Sequence, residues 1–312
     1  MPYAGAYPRL WYGRSGSGEP VLLITGFTIS SAVFEPVLPL YEQQLDCIRY
    51  DNRGSGRSSA PPWPTSMPEL AGDAVRVLDE IGLESAHVYG VSMGGMIAQE
   101  LAIRFPERVR GLVLAGTWAG GPRAVRPAIG ELGAALGGIV KALRKPGRPW
   151  LGELIFSEEF RRKDPERARE LIEFFRKHRP PPHGVLAHLL ASIYHDTVSR
   201  LGEIQAPTLV MHGEHDVMTP IANARALARR IQDAELVIVP GAGHAFPLER
   251  PDESFELTME WLRAREPIAA GRPHTGLVAQ AEPVTRALGL PIGALRTGAS
   301  LIELGREKLR AT

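Results

Sequence analysis

The stretch Gly90-Val91-Ser92-Met93-Gly94 decides the fold that this sequence predicts. It follows residues 87–89, which are rich in β-forming side chains, and precedes residues 95–105, where apolar side chains recur at helical spacing. Ser92 is therefore expected where a strand turns sharply into a helix. Glycines two residues to either side suit such a turn, because its backbones approach where a side chain would clash. This arrangement is typical of a nucleophile elbow, which presents a serine beside a helix N-terminus.

The pentapeptide alone is weak evidence, because glycine-rich chains also carry it by chance. A glycine-rich loop with an ordinary N-cap serine is the alternative interpretation. The strand before the serine and the helix after it favour the elbow. A histidine and an aspartate that follow later in the chain favour it further, because they come in the order that such an elbow requires.

Length and charge restrict the class of protein. The chain has 312 residues, 44% of them hydrophobic, and a formal net charge of +1. This length suffices for one large domain with an insertion. Both signs of charge are spread along the chain, so electrostatics give no reason to expect a nucleic acid or an anionic membrane as partner.

Cysteine usage and the first residues of the sequence predict a cytoplasmic protein. The single cysteine, Cys47, excludes an internal disulfide and any cysteine-based metal cluster. Its apolar neighbours predict a small buried core residue. The sequence opens without a basic region followed by an apolar run, and no stretch approaches the length of a membrane span. We therefore expect neither a signal peptide nor a membrane span.

Buried strands alternate with helices along most of the sequence. A short edge strand is expected at residues 9–13. Residues 21–24 and 111–115 are apolar runs typical of strands buried on both faces, and further strands are expected at residues 47–50, 87–89, 207–211 and 236–239. Helices are expected at residues 34–44, 67–81, 95–105, 220–231 and 251–263. The alternation predicts an α/β fold with a parallel sheet covered on both sides. Such sheets place their sites outside the carboxyl ends of the strands.

The alternation stops between residues 120 and 202, which carry no strong strand signal. Residues 128–143 are apolar, residues 158–179 form a charged helical stretch and residues 185–201 read as an amphipathic helix. We predict that residues 120–202 form a helical cap that lies over the site and shapes its pocket.

The remaining residues divide into a core and a tail. Residues 1–119 and 203–266 are predicted to form the core domain. Residues 267–312 contain proline and glycine breaks and do not continue the sheet pattern. Three roles stay open for this tail: packing on the body, self-association into a homo-oligomer, or mobility.

Two residues supply what a serine nucleophile needs, a base within hydrogen-bond reach and a group that orients the base. His244 follows the last strand in a glycine-flanked loop, and Asp216 follows the strand before it. We expect both on the same edge of the sheet as Ser92, in the chain order Ser, Asp, His. Glu214 is the alternative acid. Asp51 lies in a turn with two arginines, where a structural role is expected, and the other histidines are interpreted as surface or core residues.

The amide groups of Met93, which follows the nucleophile, and Phe27, in the loop after the first long buried strand, are predicted to form an oxyanion hole. Their side chains would make the pocket apolar. A place in the hydrophobic core is the alternative for each aromatic residue. Further predicted substrate contacts are Trp118, Val217 and Phe246 at strand ends, and Tyr194 and Leu189 from the cap.

No cofactor and no metal ion are expected. The elbow lacks the third glycine of a dinucleotide fingerprint, and Gly54-Ser55-Gly56 lacks the lysine of a phosphate-binding loop. The loop at residues 212–216 contains two histidines and two acidic residues, which look like metal ligands in isolation. The position of the catalytic acid explains this loop better.

Five motifs together resemble the α/β-hydrolase superfamily. They are Thr25-Gly26-Phe27, Asp51-Asn52-Arg53-Gly54-Ser55-Gly56-Arg57-Ser58, Gly90-Val91-Ser92-Met93-Gly94-Gly95, Gly213-Glu214-His215-Asp216 and Gly241-Ala242-Gly243-His244. The resemblance covers about residues 21–263, interrupted by the cap, and is strongest to small carboxylesterases, enol-lactonases and cofactor-free haloperoxidases. It implies a mostly parallel sheet of about eight strands, a helical cap and Ser-His-Asp acyl transfer. Thr25 departs from the family, in which a histidine often precedes this glycine.

The predicted activity is hydrolysis of a carboxylic ester, with a small, largely apolar ester or lactone as substrate. Haloalkane dehalogenases and epoxide hydrolases of the superfamily use an aspartate at the elbow, so Ser92 argues against both. Perhydrolase or haloperoxidase-like chemistry and carbon–carbon bond hydrolysis stay open as alternatives. A ligand-binding, receptor-like protein on the same fold is the alternative from another class, because a fold does not determine a function.

Overall fold

Eight strands form one sheet in the computed structural model, which describes residues 3–5, 7–60, 64–122, 124–125, 154–178 and 182–265. The strands are β1 (Tyr3–Ala4), β2 (Leu10–Gly16), β3 (Glu19–Ile24), β4 (Leu45–Tyr50), β5 (Ala86–Val91), β6 (Val109–Ala115), β7 (Thr208–Gly213) and β8 (Ala234–Val239). Their order across the sheet is β1-β2-β4-β3-β5-β6-β7-β8. The pairs β1–β2 and β2–β4 are antiparallel, and the other neighbouring pairs are parallel. The predicted mostly parallel sheet is confirmed.

The register of the central strands aligns their apolar residues. Leu22 of β3 lies between Ile48 of β4 and Val88 of β5, and Val88 lies beside Leu112 of β6. All four side chains are fully buried, and so is nearly all of Leu23, which points to the other face of the sheet. Burial of each contributes about 2 kcal/mol, which explains why these strands read as continuous apolar runs.

Helices occupy most of the connections between the parallel strands. The α-helices of the described residues are α1 (Leu38–Tyr41), α2 (Met67–Glu80), α3 (Met93–Arg104), α4 (Glu158–Lys163), α5 (Pro165–Lys177), α6 (Pro182–Ile193), α7 (Ile221–Arg230), α8 (Phe246–Glu249) and α9 (Pro251–Arg263). Among them, none is long and apolar enough to cross a membrane. Helix α2 begins with a capping box, in which Ser66 and Glu69 each accept a hydrogen bond from the other's backbone N–H.

The chain divides into two compact units, Met1–Glu249 and Arg250–Thr312. The sheet and α1 to α8 belong to the first unit. The second contributes α9, whose predicted bounds are confirmed. Helices α4, α5 and α6 lie in the segment predicted to be the cap, but the boundaries of core, cap and tail stay predictions. Residues 128–143 and the tail lie outside the described residues.

Prolines interrupt two of the predicted helical stretches, and a third predicted helix is shorter than expected. The single helix predicted at residues 34–44 is wrong, because a 3₁₀ turn (Ser31–Phe34) and the four-residue α1 stand there, with Pro36 between them. The charged stretch at residues 158–179 divides into α4 and α5 at Pro165. A proline nitrogen donates no hydrogen bond, and its ring obstructs the preceding turn. The amphipathic helix predicted to reach residue 201 ends at Ile193.

Candidate active site

The turn from β5 into α3 carries Ser92 at the N-terminus of the helix. Its backbone has φ 57° and ψ −119°, a left-handed conformation that residues with a side chain rarely adopt. A Cβ atom at Gly94 would overlap the carbonyl oxygen of Ile24, and one at Gly90 would overlap that of Gly94. Only glycine therefore fits at both positions, as the sequence predicts for a tight strand-to-helix turn.

Three predicted site residues meet at the carboxyl ends of the strands. The His244 Nε2 atom lies 3.0 Å from the Ser92 Oγ, and the His244 Nδ1 atom lies 2.8 Å from the Asp216 Oδ2. Ser92 follows β5, Asp216 follows β7 and His244 follows β8. These contacts are those that a base-activated serine requires.

Asp216 is buried and its carboxylate is fully hydrogen-bonded. Its Oδ1 accepts bonds from the backbone N–H groups of Met218 and Thr219, both at 2.8 Å, and its Oδ2 accepts one from the Thr219 hydroxyl at 2.6 Å. Burial raises the pKa of Asp216, but the charge and hydrogen bond of His244 and the bond from Thr219 outweigh it, so the pKa is lowered overall. Asp216 is thus held as an anion beside the imidazole.

The buried His244 ring is oriented by that anion. Burial lowers the pKa of His244, but the charge and hydrogen bond of Asp216, with a contribution from Glu249, raise it overall. Because a carboxylate only accepts, Nδ1 carries the proton of the neutral ring and donates it to Asp216. Nε2 is then left to accept a bond from the Ser92 hydroxyl, as a general base must.

Two residues around this cluster were not predicted from the sequence. The His212 Nε2 atom lies 3.5 Å from the Asp216 Oδ2 and donates to the Thr219 carbonyl oxygen at 2.6 Å. Glu249 accepts bonds from the Gly243 N–H, next to His244, and from the backbone and hydroxyl of Ser157, which precedes α4. The only sequence signal for His212 is its place at the carboxyl end of a buried strand.

The alternative acid, Glu214, is engaged elsewhere. Its Oε2 accepts a hydrogen bond from the backbone N–H of Gly241 at 2.9 Å. Asp51 has contacts of the structural kind that the sequence predicts. It is fully buried and accepts bonds from the N–H and hydroxyl of Ser31 and from the N–H and guanidinium of Arg57.

The loop after β3 lies against the serine and is braced by polar side chains. A Cβ atom at Gly26 would lie 3.2 Å from the Cβ of Ser92. The Thr25 hydroxyl donates to the carbonyl oxygen of Ile29 at 2.9 Å, which closes the loop. The Asn52 amide donates to both oxygens of Thr25, at 3.2 and 3.3 Å. Thr25, the departure from the family pattern, therefore stabilises this loop.

The two predicted oxyanion donors lie on either side of this loop contact. Met93 is the first residue of α3, and the first N–H groups of a helix have no acceptor within it. Phe27 directly follows Gly26, and its partly buried ring packs edge-on against His188, with ring centroids 6.3 Å apart. Their role as an oxyanion hole stays a prediction.

The predicted substrate-contacting residues differ in exposure. Phe246 of α8 is fully buried, whereas Trp118 is partly buried against the main core, and Val217 and Leu189 are also partly buried. Tyr194, directly after α6, is 81% exposed. Contacts of these residues with a substrate stay predictions. Among the described residues, no group of three histidine, cysteine or acidic side chains is placed to hold a metal ion.

The comparisons with known proteins agree with this fold. The sequence profile of the alpha/beta hydrolase fold matches residues 19–251. The chain belongs to the α/β-hydrolase family, as the motifs predict, and the family is one of hydrolases.

One relative and two solved structures show how close the similarity is. The protein named "Putative carbamate hydrolase RutD" from Azorhizobium caulinodans is 32% identical over 268 residues, which are 83% of this chain and 97% of that protein. A thermophilic esterase from Thermogutta terrifontis has 28% identity and a TM-score of 0.71 over 84% of this chain and 96% of its own. Est816, an N-acyl homoserine lactone degrading enzyme, has 30% identity and a TM-score of 0.72 over 83% of this chain and 100% of its own.

Proposed function

We propose that this chain is a serine hydrolase that cleaves a small, largely apolar carboxylic ester or lactone through an acyl-enzyme. One observation carries the proposal: the His244 ring contacts the Ser92 hydroxyl through one nitrogen and the Asp216 carboxylate through the other. A ligand-binding protein with the same three residues would turn over at most about one ligand per chain, so repeated turnover is what distinguishes a hydrolase from it.

In the proposed mechanism, Ser92 attacks the carbonyl carbon while His244 takes its proton. The carboxylate of Asp216 holds the ring in place and stabilises its charged form. The amide groups of Phe27 and Met93 donate to the oxyanion, and one such donor stabilises the transition state by about 3–4 kcal/mol. His244 then gives its proton to the leaving alcohol, and a water molecule repeats these steps on the acyl-enzyme.

The relatives support the substrate class. A carbamate and an acyl homoserine lactone, which appear in the names of two relatives, both contain a carbonyl carbon bonded to a heteroatom. That is the group a base-activated serine attacks. The partly buried side chain of Phe27, in the loop that lies against the nucleophile, favours an apolar acyl group.

Steady-state hydrolysis of p-nitrophenyl esters from acetate to palmitate tests the proposal. We expect turnover that peaks at a short to medium acyl chain. Ser92→Ala is expected to reduce it by a factor of about 10⁴–10⁶. Ser199→Ala, at an exposed serine, is the matched control and is expected to keep full activity.

The outcomes separate the alternatives. Retained turnover in folded Ser92→Ala would remove Ser92 as the nucleophile. A single burst of about one product per chain would favour the ligand-binding alternative. Turnover of a vinylogous diketone without turnover of any ester would favour carbon–carbon bond hydrolysis.

A further inference from the structure

His188 of α6 bridges two loops of the site through its two ring nitrogens. Its Nε2 atom lies 2.7 Å from the carbonyl oxygen of Arg53. A carbonyl oxygen only accepts, so Nε2 carries the proton. Nδ1 therefore accepts, and its donor is the backbone N–H of Thr28, at 3.3 Å. The side chain is fully buried, and burial lowers the pKa of His188, which favours the neutral ring that this arrangement requires.

Helix α6 meets the first of these loops closely. Gly184 lies one turn before His188, on the same face of the helix. A Cβ atom at Gly184 would overlap the carbonyl oxygen of Gly54, the residue after Arg53. Glycine thus allows the helix backbone to approach near enough for the imidazole to reach both loops.

The second loop contains the predicted oxyanion donor Phe27. Thr28 has φ 61°, in the left-handed region that is unusual for a β-branched residue, so surrounding contacts must hold it there. The bond to the Thr28 N–H orients the peptide plane that follows Phe27. The Phe27 ring also packs on His188. His188 therefore contacts both the side chain of Phe27 and the peptide unit that follows it.

We propose that His188 is a positioning residue, which holds the loop at Phe27 and Thr28 so that the Phe27 N–H is aimed at the oxyanion. The proposal rests on the hydrolase function proposed above. The geometry of the oxyanion hole then depends on how α6 packs against the loops at Arg53 and Thr28. Since a displacement of about 1 Å can cost about 100-fold in rate, loss of this contact should affect catalysis more than substrate binding.

Two amide substitutions separate the two hydrogen bonds. An asparagine amide can replace Nδ1, so His188→Asn keeps an acceptor for the Thr28 N–H. A glutamine amide can replace Nε2, so His188→Gln keeps the donor to Arg53 and loses that acceptor. His188→Phe removes both. The matched control is His183→Asn, at an exposed histidine of the same helix.

With p-nitrophenyl butyrate, we expect His188→Phe and His188→Gln to lower kcat by about 10-fold to 100-fold, with KM changed less than about 3-fold. His188→Asn is expected to restore most of kcat, and His183→Asn to equal the wild type. Equal kcat values in His188→Asn and His188→Gln would overturn the proposal, whatever the stability of His188→Phe.

Amide hydrogen exchange at residues 26–30 gives a readout that does not depend on activity. We expect exchange at Thr28 to be at least about 10-fold faster in His188→Gln than in the wild type, and near the wild-type rate in His188→Asn. Unchanged exchange in both variants would contradict the positioning role. If the wild type hydrolyses no ester, the proposed function fails, and the exchange rates still decide whether His188 holds the loop.

Discussion

Thr117 holds the backbone of Ser92: its hydroxyl donates a hydrogen bond to the Ser92 carbonyl oxygen at 2.7 Å. The Gly95 N–H donates to the same oxygen at 2.9 Å, and the Ser92 N–H donates to the Ala115 carbonyl oxygen at 2.8 Å. These bonds offset a left-handed backbone that costs about 1–3 kcal/mol in a residue with a side chain. The strain therefore lies at the residue whose hydroxyl we propose as nucleophile.

Replacing Ser92 should release this strain only if the new residue lacks a side chain. We expect Ser92→Gly to be about 1 kcal/mol more stable than Ser92→Ala, because glycine adopts positive φ freely and loses only part of that gain to its flexible unfolded state. Thermal unfolding should show a Tm about 2–4 °C higher. Both variants should lack esterase activity. A lower Tm for Ser92→Gly would show that the turn is not strained.

The pH dependence of kcat/KM should report the titration of His244. The ring must be neutral to accept a proton, and its pKa is raised above the ordinary value of 6.5 by Asp216. Activity should therefore fall as the pH falls through a midpoint above 6.5. In Asp216→Asn, burial still lowers the pKa but the anion is gone, so the midpoint should move to lower pH, with kcat reduced about 10⁴-fold.

Glu214→Gln is the control for that experiment. Its carboxylate is bonded to Gly241, so we expect the midpoint and kcat to stay near the wild-type values. If Glu214→Gln moved the midpoint and Asp216→Asn did not, Glu214 would be the orienting acid.

Removing the Thr25 hydroxyl should lower kcat and leave KM nearly unchanged. Thr25→Val keeps the shape of the side chain but removes the two hydrogen bonds of its hydroxyl, to Ile29 and from Asn52. We expect kcat for p-nitrophenyl butyrate to fall about 10-fold at nearly constant KM, because the loop that carries Phe27 loosens. Thr25→Ser, which keeps the hydroxyl, should remain near the wild type, and equal losses in both variants would contradict this role.

Asp51 should contribute to stability through its ion pair with Arg57, in which the carboxylate is buried and the guanidinium is partly exposed. Asp51→Ala leaves the buried N–H and hydroxyl of Ser31 without their acceptor and removes the partner of Arg57, and we expect it to lower the free energy of unfolding by about 2–4 kcal/mol in urea. Glu35→Ala, which removes a partly exposed carboxylate 3.5 Å from Arg49, should cost less than about 1 kcal/mol.

Lowering the pH should reduce the difference in the free energy of unfolding between the wild type and Asp51→Ala. Burial raises the pKa of Asp51, but its hydrogen bonds outweigh this and lower the pKa overall. A carboxylate with a lowered pKa stabilises the fold above its unfolded pKa of about 3.9, and that stabilisation is lost as the pH falls through the folded pKa. If the difference in unfolding free energy between the wild type and Asp51→Ala stayed constant as the pH fell from above about 3.9 through the folded pKa, the ionised Asp51 carboxylate would not contribute to stability.

The sequence alone determined the sheet, the elbow and the order of Ser92, Asp216 and His244. These features are local: a strand buried on both faces needs a continuous apolar run, and a tight turn needs glycine where a Cβ would collide. Parallel strands then bring their carboxyl ends to one edge, so residues that follow separate strands meet without any direct signal between them.

Only the tertiary structure decided how the loops of the site are held. His188 contacts Thr28 across 160 residues of sequence and Arg53 across 135, and Asn52 reaches Thr25 across 27. No periodicity or turn motif encodes such pairs, because each depends on how closely two separately folded segments pack. From the sequence alone His188 is interpreted only as a surface or core residue, and its reach to both loops depends on Gly184, which lets α6 approach Gly54.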